Sequence, residues 1–281
     1  MKIFRKIEEQ QNYSLVKKSK SIKVAVVPTM GFLHEGHLGL IDKAREYADE
    51  VMVSIFVNPT QFAEGEDYKE YPRDEEKDLE LLKGKSVDAA FIPEPDEMYP
   101  EGFKTFCEVK ELSEKYCGES RPGHFRGVVT VVLKLFNITQ PNFAIFGEKD
   151  YQQYIIIKTM TGDLNLPIKI IAATIIREKD GLAVSSRNIY LNSEERKEAS
   201  VLYESLIMAK GMVKNGEYRV GVLKKEMNEL IKIKKHARID YIEFVDSHTL
   251  ERVGEVDKPA RILMAVKIGK ARLIDNMEVR P

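Results

Sequence analysis

The sequence predicts an α/β protein: an open, mostly parallel sheet flanked by helices, followed by a smaller α+β domain. Three observations carry this. Val24–Val27 is a short apolar run and Val51–Val57 a nearly continuous one rich in β-branched residues, as a strand covered on both faces should be, and Val87–Pro93 and Asn142–Gly147 read as further short strands. Between such runs, apolar residues return at helical spacing, as in Leu38, Leu40, Ile41, Ala44, Tyr47 and Ala48. Beyond residue 177 the order changes to two long helices and then alternating strands, which suits a separate α+β domain. The expected domains are therefore 1–176 and 177–281.

Bulk properties narrow the function. The chain has 281 residues, 43% hydrophobic, and a formal net charge of −1. That content supports a packed core, and the balance gives no general electrostatic case for nucleic acid or membrane. Charged residues make up 32%, above the usual quarter or so, and heat adaptation is one explanation. Cys107 and Cys117 are the only cysteines; they are no disulfide framework and suit a reducing cytosol. Met1–Phe4 leads into a polar segment rather than a signal-peptide core, so a cytoplasmic location is expected.

In order, residues 1–21 read as a charged helix. Val24–Val27 is a buried strand stopped by Pro28. The loop Thr29–His37 follows, and a helix runs from His37. A helix start offers unpaired N–H groups and partial positive charge, which suits phosphate. Gly36 admits close backbone approach, and His34 and His37 add donors that work near pH 7. A zinc protease would need His-Glu-x-x-His within a helix; here the spacing is i, i+3 with Gly36 between. Two solvent-exposed histidines on a plain turn are the other reading. The strand Val51–Val57 delivers Asn58 and Gln61 at its carboxyl end, where amides can bind a hydroxyl or carboxylate, or simply cap a turn.

Glu64–Asp78 is acidic and leads into a helix over Asp74–Lys83. Asp78 suits either a metal near phosphate or a solvated face. Val87–Pro93 is a third strand, and Lys104–Val109 an edge strand. Arg121-Pro-Gly-His-Phe-Arg-Gly127, before an apolar helix over Val128–Ile138, invites an anion or is ordinary surface arginine. The strand Asn142–Gly147 ends in Glu148-Lys149-Asp150. Lys149 can serve as a point charge for phosphate, and Asp150 can meet ribose hydroxyls or cap the next helix. Ile168–Thr174 is the last strand of this region. Asp180-Gly181 is a turn signal, and Ser185, Ser186 and Arg187 present hydroxyls and a guanidinium together, as a polyphosphate needs. Ser193–Asn215 and 217–236 read as helices, and Arg238–Val245 and Arg261–Ile268 as strands. Several loops thus place polar groups at one end of the inferred sheet, and a shared nucleotide site is the best reading.

At this point a resemblance is plain. Pro-Thr-Met-Gly-x-Leu-His-Glu-Gly-His at 28–37, Ser-Ile-Phe-Val-Asn-Pro-x-Gln-Phe at 54–62 and Tyr-Pro-Arg at 71–73 resemble the pantothenate synthetase family. So do Arg-Pro-Gly-His-Phe at 121–125, Phe-Gly-Glu-Lys-Asp-Tyr-Gln-Gln at 146–153 and Ser-Ser-Arg-Asn at 185–188. The His-x-x-His loop alone indicates only the wider nucleotidyltransferase superfamily. The resemblance implies a Rossmann-like domain with a C-terminal lid, and ATP-dependent condensation of (R)-pantoate with β-alanine through a pantoyl adenylate, with Mg2+ bridging ATP phosphates. It implies that His34, His37 and Lys149 stabilise charge, with His37 the proton donor, and that Gln61 and Gln153 hold pantoate, with Gln61 also near β-alanine. It further implies that ATP lies against Met30, Gly31, Phe32, Leu33, His34, Glu35, Gly36 and His37, and against Gly147, Glu148, Lys149 and Asp150. Ile176, Val184, Ser185, Ser186 and Arg187 would close over it. The family is usually a homodimer. Two departures stand out: Val184 replaces a frequent Met, and Lys77-Asp78 replaces paired aspartates, leaving Asp78 the one acidic candidate for the metal. The alternatives are an adenylyltransferase of the same fold acting on another small substrate, and a nucleotide-binding module without chemistry.

Overall fold

The computed structural model describes residues 1–63 and 65–281. Glu64, which opens the acidic stretch, lies outside the described residues. Two compact units result: Met1–Gly147 with Gln153–Thr174, and Glu148–Gln152 with Ile175–Pro281. The sequence reading places a single boundary at 176/177. The backbone instead passes between units three times, because the short stretch Glu148–Gln152 belongs with the second.

In the first unit, β1 (Lys2–Phe4), β2 (Val24–Thr29), β3 (Glu50–Ile55), β4 (Ala89–Phe91), β5 (Phe143–Gly147) and β6 (Lys169–Ala173) form one sheet. Every pairing is parallel, in the order β1-β4-β3-β2-β5-β6. The succession β2, β3, β4 runs one way and β5, β6 the other. The order therefore reverses between β2 and β5, the place where open α/β sheets bind ligands. One face is covered by α2 (Glu35–Arg45) and α3 (Glu75–Gly84), whose Leu38, Ile41, Ala44 and Leu82 pack on Ala25, Val27, Val51 and Val53. The opposite face carries Val24, Met52 and Ala89, with Phe4 and Tyr13 against them. There α1 (Ile7–Ser19) runs beside α6 (His124–Thr139), which is buried on most of its length. Short α4 (Pro95–Met98) and α5 (Cys117–Ser120) lie in the connections, and α7 (Tyr151–Asp163) links β5 to β6.

The second unit holds α8 (Ser193–Ala199), α9 (Val201–Lys214), α10 (Val220–Lys232), β7 (Ala237–Asp246), β8 (Ala260–Ile268) and β9 (Ala271–Val279). The three strands are antiparallel in the order β7-β8-β9. Ile262, Met264, Val266, Leu273 and Val279 face Leu202, Leu206, Leu223 and Met227 of the helices. Alternation along the strands turns Arg261, Leu263 and Asn276 to the other face, with Leu263 and Asn276 directly paired.

Four expectations change. Lys2–Phe4 is an edge strand pairing with Ala89–Phe91 rather than the start of a helix; three residues are too few to show a period. Lys104–Val109 forms no strand. The Cys107 N–H donates to the Thr130 hydroxyl at 3.0 Å instead of to a neighbouring strand. The single helix expected over Ser193–Asn215 is two, separated at Ser200, whose hydroxyl donates to Glu204 at 2.7 Å; serine competes for such local bonds and favours helix ends. The strand Ala271–Val279 is an addition to the expected elements. Among the described residues no helix is long and apolar enough to cross a membrane.

Candidate active site

The loop after β2 is built by its backbone. Gly31 and Phe32 both take the left-handed region, at φ +80° and +51°. The tight turn they make directs two successive N–H groups to one side, as an anion-binding concavity does. The anion here is Asp78, on the first turn of α3: Phe32 N–H donates to it at 2.8 Å and Leu33 N–H at 2.6 Å. Asp78 is 2% exposed. Burial pushes its carboxyl above the ordinary range, against the pull of the two N–H groups. A Cβ on Gly31 would stand 3.0 Å from Asp78 Oδ2 and from Ile55, so glycine is needed for space as well as for φ. Two of the backbone donors expected for ATP, Phe32 and Leu33, are thus engaged within the protein. The next donors along, at Glu35 and Gly36, lie in the first turn of α2 and have no acceptor inside the helix.

His34 is the N-cap residue of α2. Its ring stacks on that of His37 with centroids 4.0 Å apart and planes at 27°. The His34 N–H donates to His37 Nδ1 at 3.4 Å. A neutral His37 therefore carries its proton on Nε2, a donor suited to an oxyanion.

The turn after β3 is held from three sides. Asn58, 1% exposed, donates to Gln61 Oε1 at 3.0 Å and to Gly127 O at 3.2 Å. Its own oxygen accepts from Tyr99 at 2.8 Å and from Thr60 Oγ1 at 3.0 Å. The Gln61 NH2 meets Met30 Sδ at 3.1 Å and has a second hydrogen to offer. Gly127 lets α6 approach: a Cβ there would lie 2.3 Å from Thr60 O. Arg121, considered as an anion ligand, is engaged by Glu66 at 2.6 and 2.7 Å and sits 3.0 Å from His124 Nε2. Burial pushes the Glu66 carboxyl up, but Arg121 outweighs it and holds it below the usual range. His124 Nδ1 lies 2.8 Å from Gln61 O. The Arg121–Phe125 motif therefore braces the Gln61 turn. Gln153, in the first turn of α7, belongs to the same unit.

The second unit gathers the other candidates by itself. Glu148–Asp150 is one 3₁₀ turn, continuous with Gly147 of the first unit. The Asn276 amide donates to Glu148 O at 2.7 Å and to Lys149 O at 3.0 Å. Lys149 Nζ is 3.6 Å from Asp150 Oδ2. Arg261 donates to Asn276 Oδ1 at 2.6 Å and lies over the Tyr151 ring at 3.7 Å. Tyr151 in turn donates to Ser247 O at 2.9 Å.

Ile176 and Val184 face each other across a small hairpin, Val184 N–H to Ile176 O at 3.0 Å. Arg177 bonds Gly181 O at 2.9 Å within it, and Asp275 holds Arg177 through both oxygens at 2.7 and 2.9 Å. Burial pushes the Asp275 carboxyl up while Arg177 draws it down, and burial prevails. Ser185 accepts from Arg187 N–H at 3.3 Å, opening the 3₁₀ turn Ser186–Tyr190.

The supports Arg261, Asp275 and Asn276 escape the sequence reading. Their signal is a polar pair inside a strand, at positions where a core side chain is due. Among the described residues no group of three His, Cys, Asp or Glu side chains is placed to hold an ion, and each Asp78 oxygen already accepts one backbone N–H.

Comparison with known proteins agrees over the whole length. The family described as pantoate-beta-alanine ligase matches residues 2–278. Pantothenate synthetase of Syntrophomonas wolfei is 51% identical over 280 residues, covering 99% of both chains. That of Thermosipho africanus is 52% identical over 279 residues with the same coverage. The crystal structure of pantothenate synthetase from Thermus thermophilus superposes with a TM-score of 0.94 at 42% identity, covering 100% of both chains. A pantoate-beta-alanine ligase from Francisella tularensis, complexed with beta-gamma ATP and beta-alanine, matches at TM-score 0.79 and 38% identity over 99% of this chain and 97% of its own. With a match from residue 2 to residue 278 and a fold shared over the full length, the chain belongs to the pantoate-beta-alanine ligase family.

Proposed function

We propose that this chain joins (R)-pantoate to β-alanine using ATP, releasing AMP and pyrophosphate. The pantoate carboxylate attacks the α-phosphorus, and the bond to the β-phosphate oxygen breaks. The amine of β-alanine then attacks the acyl carbon of the pantoyl adenylate, loses a proton, and AMP departs. No protein nucleophile is needed; positioning and charge stabilisation carry the rate.

His37 donates from Nε2 to the transferring phosphate, and His34 and Lys149 stabilise charge there. Gln61 offers its second N–H to pantoate, joined by Gln153, and Gln61 also meets β-alanine. Of the loop from Met30 to His37, the N–H groups at Glu35 and Gly36 are the ones suited to phosphate, since those at Phe32 and Leu33 serve Asp78. Gly147 to Asp150, Ile176 and Val184 to Arg187 complete the ATP contacts. Magnesium belongs to the reading as a companion of the phosphates, with Asp78 the acidic side chain considered for it. A homodimer in the cytoplasm completes the proposal.

The observation that carries this reading is membership of the ligase family across both units. The test is exchange of labelled pyrophosphate into ATP. Exchange with pantoate alone, and AMP only when β-alanine is added, is the expected result. Exchange that needs β-alanine overturns the two-step route. A stable nucleotide product without amide formation points to an adenylyltransferase instead.

A further inference from the structure

Resting on that function, we propose that Asn276 is a positioning residue for Lys149, aimed by Arg261. One amide NH2 donates to the carbonyls of Glu148 and Lys149, at 2.7 and 3.0 Å. These carbonyls belong to the two peptide planes that flank the Lys149 Cα. Pinning both planes fixes the direction in which the side chain leaves the backbone. A rotation of roughly 10° at that Cα would carry an ammonium about 6 Å away through about 1 Å. A displacement of that size at a reacting centre costs about 10²-fold in rate.

The amide is itself held. Arg261 bonds its oxygen at 2.6 Å, which forces the NH2 toward the turn. Arg261 is 6% exposed and Asn276 2%. The Asn276 N–H also donates to Asp275 Oδ1 at 2.7 Å, fixing the strand at this point. Asn276 lies 127 residues from Lys149 in sequence, so the contact is not a by-product of local geometry. A hydrophobic residue would pack this face as well without aiming anything.

The test is Asn276→Asp, nearly identical in volume. It keeps an acceptor for Arg261 but removes the donors and sets an oxygen against two carbonyls. Pyrophosphate exchange with pantoate is measured in the wild-type chain and in a Lys149→Ala background. The expected result is a kcat lower by about 10- to 100-fold with Lys149 present, an unchanged KM for pantoate, and no further loss once Lys149 is absent. Asn276→Ala is the second variant, should the aspartate chain not fold, and is expected to behave alike with a smaller drop. Wild-type kcat in a folded variant overturns the inference. So does an equal loss in both backgrounds, since that marks a structural role only. An unvaried protein that shows no pantoate-dependent exchange overturns the proposed function itself.

Discussion

Asp78 offers the clearest separation of two roles, loop clamp and metal ligand. Asp78→Asn keeps the shape but sets an NH2 where a carboxylate oxygen now accepts from a backbone N–H. Bonds to a charged acceptor contribute about 1.5–3 kcal/mol each, and two of them, at 2.8 and 2.6 Å, are at stake. Relief from burying a charge offsets part of that loss. The net expectation is about 2–3 kcal/mol, or about one and a half to two decades in the population of the ordered loop. Urea unfolding followed by circular dichroism reads the stability, and pyrophosphate exchange across a magnesium titration reads the function. A clamp predicts lower stability and lower kcat, with the half-saturating magnesium concentration unchanged. Unchanged stability together with a raised magnesium requirement would refute the clamp and restore Asp78 as a ligand.

Three further outcomes follow from the geometry. Gly127→Ala drives a methyl to 2.3 Å from Thr60 O; α6 must shift off the Gln61 turn at a cost of about 1–3 kcal/mol, and the KM for pantoate should rise while that for ATP holds, as steady-state kinetics will read. Lys149→Ala should lower pyrophosphate exchange by about 10²–10³-fold with the circular dichroism spectrum intact; near-normal exchange removes Lys149 from the mechanism. Asp246 accepts from the N–H groups of His248 and Thr249 at 2.8 and 2.9 Å, which hold its carboxyl down at about 2, against an ordinary 3.8. A depressed folded value means stability present above about pH 4 and lost as pH falls toward 2, so Asp246→Ala should flatten the dependence of unfolding midpoint on pH across that window.

The parallel sheet was legible because inner strands are short, nearly continuous apolar runs, such as Val51–Val57 with only Ser54 polar, bounded by turn residues. The polar loops were legible because they fall at strand carboxyl ends. What Arg121 and Asp78 do was not legible. Both are charged residues beside a proposed anion or metal site, and only distances reveal that Glu66 and two backbone N–H groups occupy them. Strand β9 hid for a related reason: Asp275 and Asn276 interrupt its alternation, and their partners, Arg177 and the Glu148–Lys149 carbonyls, lie about a hundred residues away. A long-range hydrogen bond leaves no periodic trace in a chain.

The tie between β9 and the Lys149 turn bears on biosynthesis. Asn276 is made 128 residues after Glu148, a delay on the order of ten seconds at ordinary translation speed. Throughout that interval a nascent polypeptide on the ribosome can assemble much of its first sheet, yet the lysine has no anchor. On the role proposed for Asn276, full turnover waits until β9 has been made.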